Sequence, residues 1–414
     1  MKTRFLTPAI AVIGLWAAPS LADDTATDGQ KKDAPKQDAA KKVEPAKAPS
    51  DSATEAAIQS VLLSNDPVTH AYDAVQEWKK DNGIPIGVGA WHWWHMNRES
   101  PHDFHYGLPT LGGTYYYYVT ADPQTEVGGD KTKIGAHVDF RFRDGEESFR
   151  SFYESNAWLW EAYAWVQTGP DTKVKAGKIW HRFGVDWDGS WYGNVPYFDG
   201  WKLDPDWGAS LETKFDVLHT NADAFLQAYF AQDRVNGSIP GADAESNVGN
   251  GHEKPSLNAR LVPTWTLPGG STLAVGASAM IGQIAIDGRD DETVAAGALD
   301  ATWTKGPWKA VAEIMASSGE RNPTNYVTGG PSDQSQLWLV GASRTIGPVT
   351  LRGIVSHGRY DDPGGEQVLY LTGATIAITK NVDLYLEYVK WDTKSGNGRV
   401  PYEDGFQFVL NWRF

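Results

Sequence analysis

The chain contains no cysteine among its 414 residues. That absence excludes disulfide scaffolds, thiolate-ligated zinc or iron–sulfur sites, Cys nucleophiles and a lipidated N-terminal cysteine. Beyond the extreme N-terminus there is no run of roughly 18 apolar residues, the length that a membrane-spanning helix needs. Basic residues are in the minority, 37 against 52 acidic, for a formal charge of −15, which argues against nucleic acid as a partner. Neither a Gly-x-Ser-x-Gly element nor a convincing Ser/His pair stands out, so no enzymatic activity is expected and no cofactor. A mean hydropathy of −0.44 completes the profile of a polar chain. The order of the residues contradicts it.

The first 22 residues read as a secretory signal: Lys2 and Arg4, then an apolar stretch from Phe5 to Ala18, then Ser20-Leu21-Ala22 with small residues at the cleavage positions. Pro8 and Gly14 interrupt the apolar stretch, which is too short for an anchor. Residues 23–52 are Lys, Asp, Ala, Pro, Gln and Thr; they can bury almost nothing and are expected to form a disordered periplasmic linker. Residues 53–83 carry apolar positions at helical spacing, Ala56, Ile58, Val61 and Leu62, then Ala71, Ala74, Val75 and Trp78, parted by Pro67 and ended by Gly83. A helix here either tucks against the end of the following domain or plugs it, trimerises it or touches peptidoglycan.

From residue 84 to 414 the helical period gives way to alternation. Phe406, Phe408, Leu410, Trp412 and Phe414 occupy every second place, with Gln407, Val409, Asn411 and Arg413 between them. Val382, Leu384, Leu386 and Tyr388 alternate with Asp383, Tyr385 and Glu387. Val349, Leu351, Gly353 and Val355 alternate with Thr350, Arg352, Ile354 and Ser356. Trp207, Ala209, Leu211, Phe215 and Val217 alternate with Gly208, Ser210, Glu212, Lys214 and Asp216.

Two-faced strands also occur in soluble sandwiches, so the connections decide. Candidate strands centre near Ala90, Tyr116, Val138, Tyr163, Gly177, Glu212, Gln227 and Leu261, and then near Gly276, Gly297, Ala312, Leu339, Gly353, Gly373, Tyr385 and Val409. Tight turns at Gly169-Pro170-Asp171, Pro268-Gly269-Gly270, Lys305-Gly306-Pro307, Gly347-Pro348 and Lys380-Asn381 join alternate pairs. The intervening connections, such as 98–109, 185–205, 233–253, 318–333 and 392–401, are long. Short turns on one side and long loops on the other are the layout of an all-β, transmembrane, antiparallel up-and-down β-barrel of about sixteen strands. One connection breaks the rule: 121–130 falls on the short side. A TonB-dependent transporter is excluded by strand number and by the small size of the tail.

The C-terminus resembles that of Gram-negative outer-membrane porins. Asp404-Gly-Phe-Gln-Phe-Val-Leu-Asn-Trp-Arg-Phe414 is similar to the terminal aromatic signature that the barrel-assembly machinery recognises, and Asn381-Val-Asp-Leu-Tyr-Leu-Glu-Tyr-Val389 looks like the penultimate strand of general and phosphate-selective porins. Glu161-Ala-Tyr-Ala164, Val174-Lys-Ala-Gly-Lys178 and Phe183-Gly184 are similar to the strand pair preceding the porin constriction loop. The resemblance implies that the third long loop, 185–205, folds into the pore. Its candidates are Asp186, Asp188, Trp191, Tyr192, Tyr197, Asp199, Trp201 and Asp204. Pro196-Tyr-Phe-Asp-Gly200 is distantly similar to the family's Pro-Glu-Phe-Gly-Gly, with Tyr197 at the place of the acid. Basic wall residues should face the loop, the candidates being Arg141, Arg143, Arg260 and Arg352. The acids of that loop, and Asp290, Asp291, Asp361 and Asp362 on other loops, also fit a solvated rim that bridges lipopolysaccharide through divalent ions.

His92 and His95, with His102 and His105, are the one constellation that could hold metal. Residues three apart on a strand face opposite sides, so a shared site requires the strand to end before them, and an interfacial aromatic belt with incidental histidines is the simpler account; no metal is expected. The expected protein is an outer-membrane porin passing ions and small hydrophilic solutes by diffusion, with its N-terminal segment in the periplasm. Alternatives are a barrel whose arm anchors the outer membrane to peptidoglycan, and a carbohydrate-type specific porin. Expected partners are outer-membrane lipid, lipopolysaccharide, the barrel-assembly machinery and, by analogy, two further copies in a homotrimer.

Overall fold

The computed structural model describes residues 67–98, 110–127, 132–144, 157–185, 187–198, 205–217, 219–230, 251–253, 255–286, 292–321, 332–360, 365–395 and 404–414. The signal, the linker and the first apolar stretch of the tail therefore lie outside the described residues. So do His102, His105, Asp290, Asp291, Asp361 and Asp362.

Among the described residues, one helix precedes the sheet. α1 (Pro67–Asp81) begins on a proline, whose missing N–H belongs to the first turn anyway. It stops at Gly83, whose φ of 62° is the left-handed conformation of a helix C-terminus. α1 meets the rest of the chain through Tyr72, edge-on to the Phe414 ring at 6.1 Å, and through Asp73, which accepts from Lys380 Nζ at 2.7 Å. Trp78 of its apolar stripe is 57% exposed, so these two residues carry the contact rather than that stripe.

The strands are β1 (Ile86–Arg98), β2 (Thr110–Ala121), β3 (Gln124–Val127), β4 (Thr132–Asp144), β5 (Ala157–Thr168), β6 (Thr172–Trp180), β7 (Pro205–Val217), β8 (Thr220–Tyr229) and β9 (Gly251–Glu253). There follow β10 (Ser256–Thr266), β11 (Thr272–Ile286), β12 (Glu292–Lys305), β13 (Trp308–Arg321), β14 (Ser332–Ile346), β15 (Val349–Tyr360), β16 (Gly365–Thr379), β17 (Val382–Ser395) and β18 (Asp404–Arg413). Each pairs antiparallel with its neighbour, and β1 pairs with β18 from Gly89↔Arg413 to Arg98↔Asp404, which closes the sheet. β3 prolongs β2 along β4 in unbroken register, Ala121↔Val138 leading on to Gln124↔Gly135, and β9 prolongs β10 along β11. The result is a closed barrel of sixteen strands, two of them interrupted.

All the strand centres expected from alternation fall within these strands. The exceptional connection after Ala121 resolves physically: half of it is β3, which extends a hairpin with β4 past the barrel rim, exposed on both faces. Turn chemistry accounts for the tight side, where Gly169, Gly269, Gly270, Gly306 and Gly347 all take positive φ.

Parity divides the barrel into two surfaces. Outward positions carry Leu226, Leu257, Ile281, Leu299, Ile314 and Leu351, each about half exposed. They form a continuous apolar belt that water would not tolerate and hydrocarbon would. Aromatics sit toward its edges: Trp308 and Phe215 near the short-turn rim, Trp94, Trp207 and Phe230 near the other. Phe406 and Phe408 face outward while Gln407 and Val409 are buried inside, as the terminal alternation requires.

Replacing Leu299, at the middle of β12, by arginine should cost about 2–4 kcal/mol of folding free energy in lipid vesicles, because the charge meets hydrocarbon. Urea titration of vesicle-inserted protein checks this; an unchanged midpoint would move the membrane-facing surface elsewhere.

Candidate functional site

The chain does not close off the barrel end as it leaves β6; it turns inside. Residues 181–198 run along the inner wall, and each stretch of backbone finds an acceptor there. Arg182 N–H donates to Gln227 Oε1 on β8 at 2.8 Å, and Asn258 Nδ2 on β10 donates to Arg182 O at 3.0 Å. Gly184 N–H donates to Ser278 Oγ on β11 at 3.1 Å, and Val185 N–H to Glu313 Oε2 on β13 at 2.5 Å. Farther round, Glu387 on β17 takes two donors, Trp191 N–H on Oε1 at 2.8 Å and Tyr192 N–H on Oε2 at 2.9 Å. The segment then returns through the short helix α2 (Val195–Phe198), where Val195 N–H donates to Ser356 Oγ on β15 at 2.9 Å.

Irregular backbone is tolerated at membrane depth only where protein or lumen water satisfies it. Side-chain carboxylates and hydroxyls at inward positions supply that satisfaction here. Gly184 fits on two counts: its φ is 62°, and a Cβ there would stand 2.6 Å from Glu313 Oε2.

Between these polar anchors the segment is sealed with apolar contacts. Phe183, Tyr192 and Val195 pack on Met280, Met315, Leu337, Leu339, Ile354, Leu369 and Leu371, all inward residues of β11 to β16 and all buried. Trp391 Nε1 on β17 donates to Tyr192 Oη at 3.1 Å. One side of the lumen is therefore a packed interior. Among the described residues nothing packs in this way on the inner face from β1 to β7, where Trp91, Tyr118, Arg141, Tyr163, Lys175 and Glu212 are half-buried.

Three of the candidate basic wall residues, Arg141, Arg260 and Arg352, are matched by a carboxylate. Arg260 meets Asp300 with two bonds, Nη1 to Oδ2 at 2.6 Å and Nη2 to Oδ1 at 3.1 Å, and also reaches Ser278 Oγ at 2.9 Å. Arg352 donates to Glu387 Oε1 at 3.0 Å and to Thr375 Oγ1. Arg141 donates to Asp139 Oδ2 at 2.8 Å, with its guanidinium 4.9 Å from the Trp91 ring and 4.1 Å from that of Trp160. Within the inward segment, Asp188 is buried. It accepts from Ser190 N–H at 2.8 Å, Ser190 Oγ at 2.6 Å and Asn194 Nδ2 at 2.7 Å, so its carboxylate shapes the segment's own turn.

Trp191 lies against Trp91 and Tyr192 is buried. Asp186, Asp199, Trp201 and Asp204 lie outside the described residues, as do the side chains of Arg143 and Tyr197. β1 continues through Arg98, so His92 and His95 face opposite sides, His92 outward among Tyr115, Trp94 and Trp412 and His95 inward beside Trp93. Sequence reading missed Asp139, Asp300, Glu313 and Glu387 as the groups that hold arginines and loop in place. Their signal was present: each is an acid at an inward-parity position of a strand.

A closed sixteen-strand antiparallel barrel with a long connection lying in its lumen is the fold of bacterial outer-membrane porins. Similar solved structures include OmpF of Salmonella typhi in complex with daunomycin (TM-score 0.57, 13% identity, 81% of this chain and 99% of that one). The outer-membrane channel DcaP of Acinetobacter baumannii follows (TM-score 0.56, 14% identity, 80% and 96%), as does an anion-selective porin from Comamonas acidovorans (TM-score 0.55, 13% identity, 80% and 98%). No protein-family model matches the chain, and no curated protein matches it in sequence.

Arg260→Ala leaves Asp300 buried without its partner and should cost about 3–5 kcal/mol, most of it regained in Arg260→Met with Asp300→Leu, as read by urea unfolding. His181, at the root of the inward segment, is fully buried and stacks on Tyr229 at 3.9 Å. Burial pushes it down from 6.5 to about 3. The unfolded chain then binds the extra proton, so stability falls as pH drops from 6.5 toward 3. His181→Phe should flatten that part of the stability–pH curve; an identical curve would show that the segment opens before His181 titrates.

Proposed function

We propose that the chain is an outer-membrane porin, a water-filled channel for passive diffusion of ions and small hydrophilic solutes. The observation that carries this reading is the segment 181–198 held inside a closed barrel whose outer face is apolar. A barrel that served only as a membrane anchor has no need of an inner loop pinned by buried carboxylates. In this reading the long loops face the outside of the cell, the short turns and α1 face the periplasm, and the passage runs between the inward segment and the β1–β7 wall. The structural neighbours support it, since they include an outer-membrane channel and an anion-selective porin.

Purified protein in planar bilayers should give discrete conductance steps; silent membranes would sink the proposal. The double variant Glu313→Ala, Glu387→Ala removes the acceptors for Val185, Trp191 and Tyr192 N–H and should give larger, noisier steps. Steps of unchanged size would place the narrowest point away from this segment.

A further inference from the structure

We propose that the uncovered wall is a stacking track for neutral, ring-shaped polyhydroxylated solutes with the chemistry of sugars, centred on Trp91 and Trp191. The inference rests on the channel reading above. Trp91 of β1 projects into the lumen, its ring 5.0 Å from Tyr118 of β2 and 5.6 Å from Trp191 of the inward segment. Trp191 in turn lies 6.0 Å from Tyr385 of β17. Four rings thus bridge from β2 across β1 to the segment and on to β17, at the edge where the packed side of the lumen meets the uncovered one.

Exposure separates these rings from mere packing. On the sealed side Tyr229 and Tyr360 are 1% and 2% exposed, as ring side chains filling space should be. Trp91, Tyr118, Trp191 and Tyr385 all stay half-buried, each with surface left for a passing molecule. The wall carries further rings toward the short-turn rim, where His137 stacks on Tyr163 at 5.0 Å.

Charge selects the class of solute. Beside the rings, Arg141 is paired with Asp139 at 2.8 Å, Arg413 with Asp383 at 3.0 Å and Lys175 with Glu212. Such pairs offer donors and acceptors side by side, which suits hydroxyl groups that act as both. They leave little net charge to hold an anion or a cation in the passage. Flat apolar C–H faces of a sugar ring stack on the π-faces of indole and phenol, whose quadrupole favours the contact.

The test uses the full-length protein in planar bilayers, with maltotriose as the neutral probe and benzoate as the anionic one. Maltotriose should interrupt the ion current, and Trp191→Ala should raise the half-blocking concentration about tenfold. Trp338→Ala, on the outer face, should leave the block unchanged. Should Trp191→Ala fail to assemble, Trp91→Phe reads the same contact with an expected shift of about threefold. Conductance steps without maltotriose block, or block that both ring variants leave intact, would overturn the track while the channel stands. Block by benzoate alone would overturn the sugar class. Absence of any steps would remove the channel reading and the track with it.

Discussion

A strand carries its hydrogen-bonding groups in the plane of the sheet, and a sheet bathed in hydrocarbon can leave none of them unpaired. The meeting of β1 with β18 is the interaction on which everything else in this molecule depends. It brings Gly89 opposite Arg413 and Trp94 opposite Phe408, and Phe414 continues the pairing by exchanging backbone hydrogen bonds with Val88. Closure also fixes parity around the whole circumference. β2 resumes as β3 in the same register, so the break at Asp122–Pro123 costs the ladder little, whereas β9 pairs with β11 one residue out of step with β10.

Once closed, the barrel has a second surface to satisfy, and that surface is treated unevenly. The half lined by β11 to β16 is packed like the interior of a soluble protein, with Met, Leu and Ile meeting Phe183, Tyr192 and Val195. Apolar packing alone could not hold an irregular segment there, because its amide groups would lack partners. Glu313 and Glu387 supply them, and Glu387 is itself held by Arg352. The same carboxylate therefore balances a buried cation and fastens a loop. Removing it affects both at once, which is why wall charge and loop position are a single structural unit.

The uncovered half carries the chemistry that a moving solute would meet. There Arg141 and Lys175 are ion-paired and the rings are left partly open, so contact combines stacking with hydrogen bonding. Some of the tryptophans show the contrast. Trp94, Trp207, Trp308 and Trp338 face outward on the apolar belt, whereas Trp91, Trp160 and Trp191 surround Arg141 or meet across the lumen.

Much of the fold was legible in the residues because strand parity is local. A period of two places Phe406 and Gln407 on opposite faces whatever the rest of the chain does, and glycine-rich turns mark where the chain reverses. The inward path of the third long loop was expected only through resemblance to porins, and its anchors were not legible at all. Trp191 and Glu387 are separated by 196 positions, and nothing near either one announces the other. Arg352 and Arg260 read as free basic wall residues until the neighbouring strands supplied Glu387 and Asp300, and Asp188 read as a pore acid until the segment folded around it. The sequence by itself determined which face of each strand meets lipid and where the chain turns. Only the tertiary structure decided which charges cancel and which half of the lumen stays open, because both follow from contacts between groups far apart in the chain.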